Sequence, residues 1–260
     1  MTPSRVVVTG AGGGIGAALA RRLAAGGARV VVNDLDPAAA KAVAAEIGGR
    51  AVPGDAASET DVRRLVDVAW DELGGIDLFC ANAGVLSAGT QDAPDAVWER
   101  DFQVNVMSHV YVARALIPRW VDRQGGRLLV TVSAAGLLTL LGSAPYAVTK
   151  HAALAFAEWL RATYAHRGLT VQALCPQGVR TDMLARGNEE GSASAAQLAA
   201  GALEPDDVAT AVVKALDGDS FLILPHPEVA EFYQRRATDP DRWLSGMNRM
   251  QRTFDAAARS

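Results

Sequence analysis

Short apolar runs that do not alternate with polar residues recur along this chain: "RVVVT" (5–9), "ARVVVN" (28–33), "IDLFCAN" (76–82), "RLLVTVS" (127–133), "LTVQALC" (169–175) and "SFLILP" (220–225). A strand exposed on one face alternates, whereas a strand covered on both faces reads as a continuous apolar run. Between these runs lie segments with helical spacing at 14–25, 37–47, 58–73, 94–121, 144–166 and 205–217. A brief further strand fits within "GRAVPGD" (49–55). Strand and helix in alternation, with links of crossover length, predict an α/β fold. The expectation is one Rossmann-like domain over 1–260, a doubly wound parallel sheet of about seven strands with helices on both faces. Local signals mark the helix starts. Asp36 precedes Pro37, and Ser58 stands three residues before Asp61, close to a capping box.

The eight residues "TGAGGGIG" (9–16) join the first strand to the first helix. A glycine loop between strand and helix aims backbone N–H groups and the positive helix end at one point, which suits a pyrophosphate. The second strand ends in Asp34, 24 residues after Gly10. A carboxylate there accepts the hydroxyls of an adenosine ribose and repels a 2′-phosphate. Residue 13 is Gly rather than Lys or Arg, and Arg29 lies at the opposite end of that strand. The cofactor expected is therefore NAD rather than NADP.

"YAVTK" sets Tyr146 and Lys150 four apart, on one face of a helix. A tyrosine hydroxyl ionises near pH 10. A neighbouring ammonium and a cationic nicotinamide would favour its phenolate, so that it could exchange a proton with an alcohol or carbonyl oxygen. Ser133, at the end of the fifth long strand, lies where doubly wound sheets bind ligands and could hold the same oxygen.

These motifs, with "GDA" (54–56), "ANAG" (81–84), Asn105 in "VNV" and "PQGVRT" (176–181), occur in one order and with gaps that resemble the short-chain dehydrogenase/reductases, from residue 5 to about 225. The resemblance implies an NAD-dependent oxidoreductase that moves a hydride between the cofactor and a secondary alcohol or ketone. It implies that Asn105, Ser133, Tyr146 and Lys150 are catalytic, with Asn105 holding a water that links Lys150 to solvent. Lys150 would also bind the nicotinamide ribose. Gly10, Gly14, Ile15 and Gly16 would line the pyrophosphate, and Asp55 and Ala56 would flank the adenine. Asn82, Ala83 and Gly84 would run beneath the cofactor, and Val179 and Thr181 would contact its carboxamide. The family pattern has Pro-Gly after the sixth strand, and here Gln177 takes the glycine position. A catalytically silent NAD-binding sensor or scaffold is the competing reading; the complete Asn–Ser–Tyr–Lys set argues against it.

Substrate would lie between the turn "AAGLLTLLGSAP" and a mobile loop over about 182–205. Ser133, Tyr146, Gln177 and Met183 are the expected contacts, in apolar surroundings that include Leu137, Leu138, Leu140, Leu141 and Leu184. A mainly hydrophobic substrate fits, and Arg180 is the one cation at hand for a carboxylate. The tail 226–260 is expected to be helical, with Trp243, Met247, Met250 and Phe254 on one stripe. His226, between two prolines, reads as a rigid turn residue.

A net charge of −4 with both signs interleaved offers no basic stripe to nucleic acid or an anionic membrane. No apolar run approaches the roughly 20 residues that span a bilayer. The start "MTPSRVVVTG" leaves no room for a signal peptide. Two isolated cysteines, Cys80 and Cys175, suggest a reducing, cytoplasmic setting and free buried thiols. No His or Cys spacing forms a metal-ligand set. Apolar residues around much of helix 144–166, Leu154, Phe156, Trp159 and Leu160 among them, call for a second partner. By the resemblance this helix and 94–121 pair across a two-fold axis, and a homotetramer is expected, with a dimer as the minimum.

Overall fold

A computed structural model describes residues 3–189, 198–199 and 201–257. In chain order its strands are β1 (Arg5–Val8), β2 (Arg29–Val32), β3 (Arg50–Ala51), β4 (Leu78–Ala81), β5 (Gly126–Thr131), β6 (Leu169–Leu174) and β7 (Leu222–Ile223). They form one parallel sheet in the order β3-β2-β1-β4-β5-β6-β7. The helices are α1 (Gly14–Ala25), α2 (Pro37–Glu46), α3 (Glu59–Leu73), α4 (Asp95–Phe102), α5 (Ser108–Asp122), α6 (Ala135–Leu138), α7 (Ala144–Tyr164), α8 (Asp182–Glu189), α9 (Pro205–Ala215), α10 (Glu228–Thr238) and α11 (Pro240–Ala257).

Why the strands do not alternate is visible in the two cores. Val7, Val31, Phe79 and Val130 join a cluster with Leu65 of α3, Leu116 and Trp120 of α5, and Leu160 of α7. Their chain neighbours Val6, Val8, Val30, Val32, Cys80 and Leu129 join the opposite cluster, with Leu19 of α1, Val43 of α2 and Val212 of α9. Successive side chains point to opposite faces, so a sheet covered on both sides needs an apolar residue at every position. The doubly wound sheet expected from the sequence is thus present.

Both helix-start signals act as read. Asp36 accepts from the amides of Ala38 and Ala39, and Ser58 accepts from the amide of Asp61. The segment 94–121 is not one helix, however. A π turn over Gln103–Met107 separates α4 from α5. The Ser108 hydroxyl takes the carbonyl of Val104 at 2.6 Å, and the Asn105 side chain clamps the backbone of Val85, so side chains compete with the helical ladder there. Strand β5 ends at Thr131, so Ser133 stands in the turn beyond it.

Sheet order places β5 between β4 and β6, which keeps Cys80 and Cys175 apart as buried free thiols. Of the loop read over 182–205, residues 182–189 form α8, and residues 190–197 and 200 lie outside the described residues. On α11 the stripe Trp243, Met247, Met250 and Phe254 is half-buried, and Trp243 packs on Phe232 of α10 at 6.2 Å between ring centroids. No helix among the described residues is long and apolar enough to cross a membrane.

Candidate active site

The strand order reverses between β1 and β4, and the glycine loop leaves β1 at that point. Gly10 takes φ +60 and Gly14 φ +51, backbone that L side chains rarely adopt. A Cβ on Gly16 would stand 2.1 Å from the Gly10 carbonyl oxygen and 2.6 Å from Asn82 Nδ2. A Cβ on Gly14 would touch Thr181 Cγ2 at 3.0 Å. These glycines let helix, strand and the loop after β6 close around one small space. Ile15 packs into the α1 side of the core. Gly13 differs: it is extended (φ −163), and nothing lies within 4 Å of its Cβ position.

Asp34 sits just past β2. Its Oδ2 accepts from the Gly12 amide at 2.8 Å and its Oδ1 from the Asp36 amide at 3.0 Å. That fixes the carboxylate against the glycine loop while leaving lone pairs for further donors. Asp55 accepts from the Ala57 amide at 2.8 Å and its own amide is held by Asp61, which orients the turn carrying Ala56. Asn82 donates to the carbonyls of Thr9 and Gly10, and accepts from Thr131 at 3.1 Å. Thr9, a residue the sequence reading left without a role, ties β1 to this segment: its hydroxyl accepts from the amides of Asn82 and Ala83. Asn33 likewise holds the carbonyls of Val52 and Gly54. Short polar residues closing an apolar strand were the available signal for both.

Asn105, Ser133, Tyr146 and Lys150 come from three different stretches and gather around the carboxyl end of β5. Lys150 Nζ lies 5.5 Å from the Tyr146 ring centroid and donates to the Thr131 carbonyl at 3.0 Å. Asn105 Oδ1 and Lys150 Nζ lie 3.2 Å and 3.5 Å from the position a Cβ on Gly84 would fill, so that glycine lets them converge. Asn105 is fully buried and divides its amide between Val85 and Thr149.

Without a cofactor the Tyr146 phenol is un-ionised. Burial pushes the Tyr146 hydroxyl up to about 12, and the Ser133 hydroxyl acts against that rise. Burial also draws Lys150 down to about 8. A charge in a water-poor site is disfavoured for either sign, and desolvation is the leading cause at both groups.

On the other half of the sheet, the register pairs Thr131 with Leu174 and Leu174 with Ile223. Ser133, Gln177 and His226 therefore lie in a row just beyond the ends of β5, β6 and β7. Ser133 Oγ donates to the Pro176 carbonyl at 3.4 Å. His226 is more than a turn residue: it is buried, and its Nδ1 accepts from the Gln177 amide at 3.1 Å. The chain held this way is the one that departs from the family pattern at Gln177, whose side chain is half-exposed. Leu137 and Leu138 are core residues rather than pocket lining, because α6 turns them onto the α7 side of the sheet. Leu140, Leu141 and Met183 are half-buried and Leu184 is buried. Arg180 is paired with Glu204 at 2.8 Å. Val179 is buried and bridges to Leu203, and Thr181 Oγ1 donates to the Val179 carbonyl and accepts from the Leu184 amide. Among the described residues no cluster of three or more His, Cys, Asp or Glu is placed to hold a metal.

The profile of the short chain dehydrogenase family matches residues 4–191, and the chain belongs to that family. It is 40% identical over 233 residues to a 1-deoxy-11-beta-hydroxypentalenate dehydrogenase of Streptomyces exfoliatus, covering 85% of this chain and 82% of the relative. A protein of the same name from Streptomyces avermitilis is 36% identical over 241 residues, 88% of this chain and 86% of that one. Among solved structures, a short chain dehydrogenase/reductase from Burkholderia phymatum in complex with NAD superposes with a TM-score of 0.82 at 29% identity, covering 91% of this chain and 93% of the other. The protein is an oxidoreductase of that family, acting on a small molecule.

Proposed function

We propose that the protein is an NAD-dependent dehydrogenase or reductase that interconverts a secondary alcohol and its ketone, on a mainly hydrophobic substrate. The observation that carries this reading is the convergence of Ser133, Tyr146, Lys150 and Asn105 at the carboxyl end of β5, beside a glycine cradle. The cofactor fits the residues present: side chains at Gly10 or Gly16 would collide with Ala83, the Gly10 carbonyl and Asn82, so the tight turn needs glycine, and Asp34 flanks it with a carboxylate suited to ribose hydroxyls. The NAD-bound neighbour and the absence of a cation at residue 13 favour NAD over its 2′-phosphorylated form. NAD would supply the hydride acceptor and, when oxidised, a second positive charge.

Gly10, Gly14, Ile15 and Gly16 would hold the pyrophosphate. Asp34, Asp55 and Ala56 would hold the adenosine end, and Asn82, Ala83, Gly84, Val179 and Thr181 the nicotinamide end. Ser133 would donate to the substrate oxygen and orient it. Tyr146, as phenolate, takes the hydroxyl proton during oxidation and returns it during reduction. Lys150 stabilises that phenolate, and Asn105 braces the polar interior behind it. Gln177, Met183, Leu140 and Leu141 would line the far side of the substrate. The similar Streptomyces proteins, named as dehydrogenases of a hydroxylated compound, support an alcohol as substrate. The test is a screen of hydrophobic secondary alcohols and ketones against both nicotinamide cofactors, followed by NADH fluorescence. Turnover with NAD is expected; a folded protein that binds NAD and turns over none of them would favour a silent sensor.

A further inference from the structure

Asp101 is an acid in an unusual place. It lies in the last turn of α4, is fully buried, and stands one turn before Asn105. Ser87 Oγ donates to its Oδ1 at 2.7 Å, and the guanidinium of Arg100, itself more than half exposed, reaches the same oxygen at 3.2 Å. The other oxygen, Oδ2, is buried with no partner among the described residues. Burying a carboxylate so incompletely satisfied is costly. Helix α4 packs on α7, which carries Tyr146 and Lys150. Asn105 and Lys150 in turn meet at Gly84. Asp101 thus lies on a helix that packs against the one carrying Lys150, one turn before a residue that converges with Lys150 at Gly84.

We propose that Asp101 is a positioning residue for the reaction, a buried counter-charge that keeps Lys150 an ammonium in water-poor surroundings. The proposal rests on the functional reading above, in which Lys150 must be charged to stabilise the Tyr146 phenolate. The other titratable groups around Lys150 cannot take this part. His109, on α5, is held far below its ordinary range, to about 3, by burial and by Lys150 itself, so it is neutral. Cys175, at the end of β6, would act in the same direction only as a thiolate, and burial pushes its thiol up to about 12. Tyr146, on α7 itself, is un-ionised in the protein alone. Asp101, which is paired with Arg100 at 3.2 Å, is the remaining acid. Its charge opposes the burial that draws Lys150 down, and it also opposes ionisation of Tyr146.

The chain has only three lysines, Lys41, Lys150 and Lys214, and the other two are exposed. Lysine labelled with carbon-13 at Cε then gives three resonances, and Lys150→Arg identifies the one to follow. At an effective dielectric constant near 20, a unit charge about 10 Å away moves a titration by about one pH unit. Asp101→Asn is expected to lower the Lys150 midpoint by that amount, so that at the wild-type midpoint the charged fraction falls from half to about a tenth. Asp101→Glu should restore the midpoint, and Cys175→Ala should leave it unchanged. Asp101→Leu, which removes the unsatisfied oxygen with the charge, gives the same reading if the Asn variant does not fold. A midpoint that stays put in a folded Asp101→Asn or Asp101→Leu protein overturns the proposal, as does a fall in Cys175→Ala equal to that in Asp101→Asn. The titration uses neither NAD nor substrate, so its failure is distinct from failure of the redox reading. Where turnover is measurable, the alkaline limb of kcat/KM should move to lower pH in Asp101→Asn by the same amount, a displacement that a purely structural role of Asp101 would not produce.

Discussion

The carboxyl ends of β1, β2 and β4 and those of β5, β6 and β7 lie on one edge of one sheet, yet they are built differently. On the first side, position is enforced by backbone. Gly10 and Gly16 are in contact with main-chain atoms, Thr9 and Asn82 hydrogen-bond main chain, and Asp34 is held by two amides. On the second side, side chains from distant stretches hold one another and the loops: Lys150 the Thr131 carbonyl, His226 the Gln177 amide. Thr139, in the turn after α6, even takes φ +76, a conformation that favours glycine. A ligand moiety common to many enzymes can be met by a backbone cradle that tolerates few substitutions. A reacting centre and a particular substrate need side chains, whose identity can change while the sheet stays the same.

This contrast can be broken or sharpened by mutation. The largest effect is expected on the side-chain half. Tyr146→Phe removes the transferable proton and keeps the ring, so kcat should fall at least about 100-fold while calorimetry shows NAD binding unchanged. A Tyr146→Phe enzyme with near-normal turnover would mean that another group moves the proton.

On the backbone half, Asp34 should make NAD bind at least about tenfold more tightly than NADP, a difference of only about 1.4 kcal/mol. Asp34→Ala combined with Gly13→Arg should abolish that preference in a binding titration. Residue 13 can take the larger side chain because it is extended and has open space around it. Equal affinities in the unaltered protein would remove the NAD assignment. His226→Ala takes away the acceptor for the Gln177 amide. With a hydrogen bond contributing about 1 kcal/mol, KM for the substrate should rise about fivefold, with the Kd for NAD untouched. A change in the Kd of NAD instead would show that the two halves are coupled.

The smallest effect on chemistry should come from the outer faces. Phe102, Val148 and Trp159 are exposed apolar residues on α4 and α7, and Phe156 stacks on Trp159 with ring centroids 6.4 Å apart. We propose that this surface joins two copies of the chain, as the width of the apolar face of 144–166 suggests. Trp159→Asp should shift a dimer or tetramer toward monomer in light scattering and leave the NAD affinity of the folded protein nearly unchanged. A wild-type monomer of 27.2 kDa at micromolar concentration would end the proposal.

Much of this was legible without coordinates, for reasons that differ by residue. Six of the seven strands, and the sheet class, follow from apolar runs and their alternation with helical segments. Asp36 and Ser58 act as caps because a cap is a contact between neighbours in sequence. The glycine loop is equally local. The π turn at Gln103–Met107 was not legible, since Val85 and Thr149, which engage Asn105, come from elsewhere in the chain. Nor was the part played by His226, 49 residues from its partner Gln177. Leu137 and Leu138 look like pocket residues by position, and only the direction of α6 turns them into the core.

By itself, then, the sequence determined most of the strands and helices, the capped starts of two of them, and where the glycine loop and the Ser–Tyr–Lys set stand along the chain. Those properties depend on side-chain period, capping and backbone freedom, all settled within a few residues. Tertiary structure alone decided how those groups behave once assembled. Burial, a property of the whole packed molecule, raises Tyr146 and lowers Lys150. Desolvation depends on everything that surrounds a group, and no stretch of sequence holds that information.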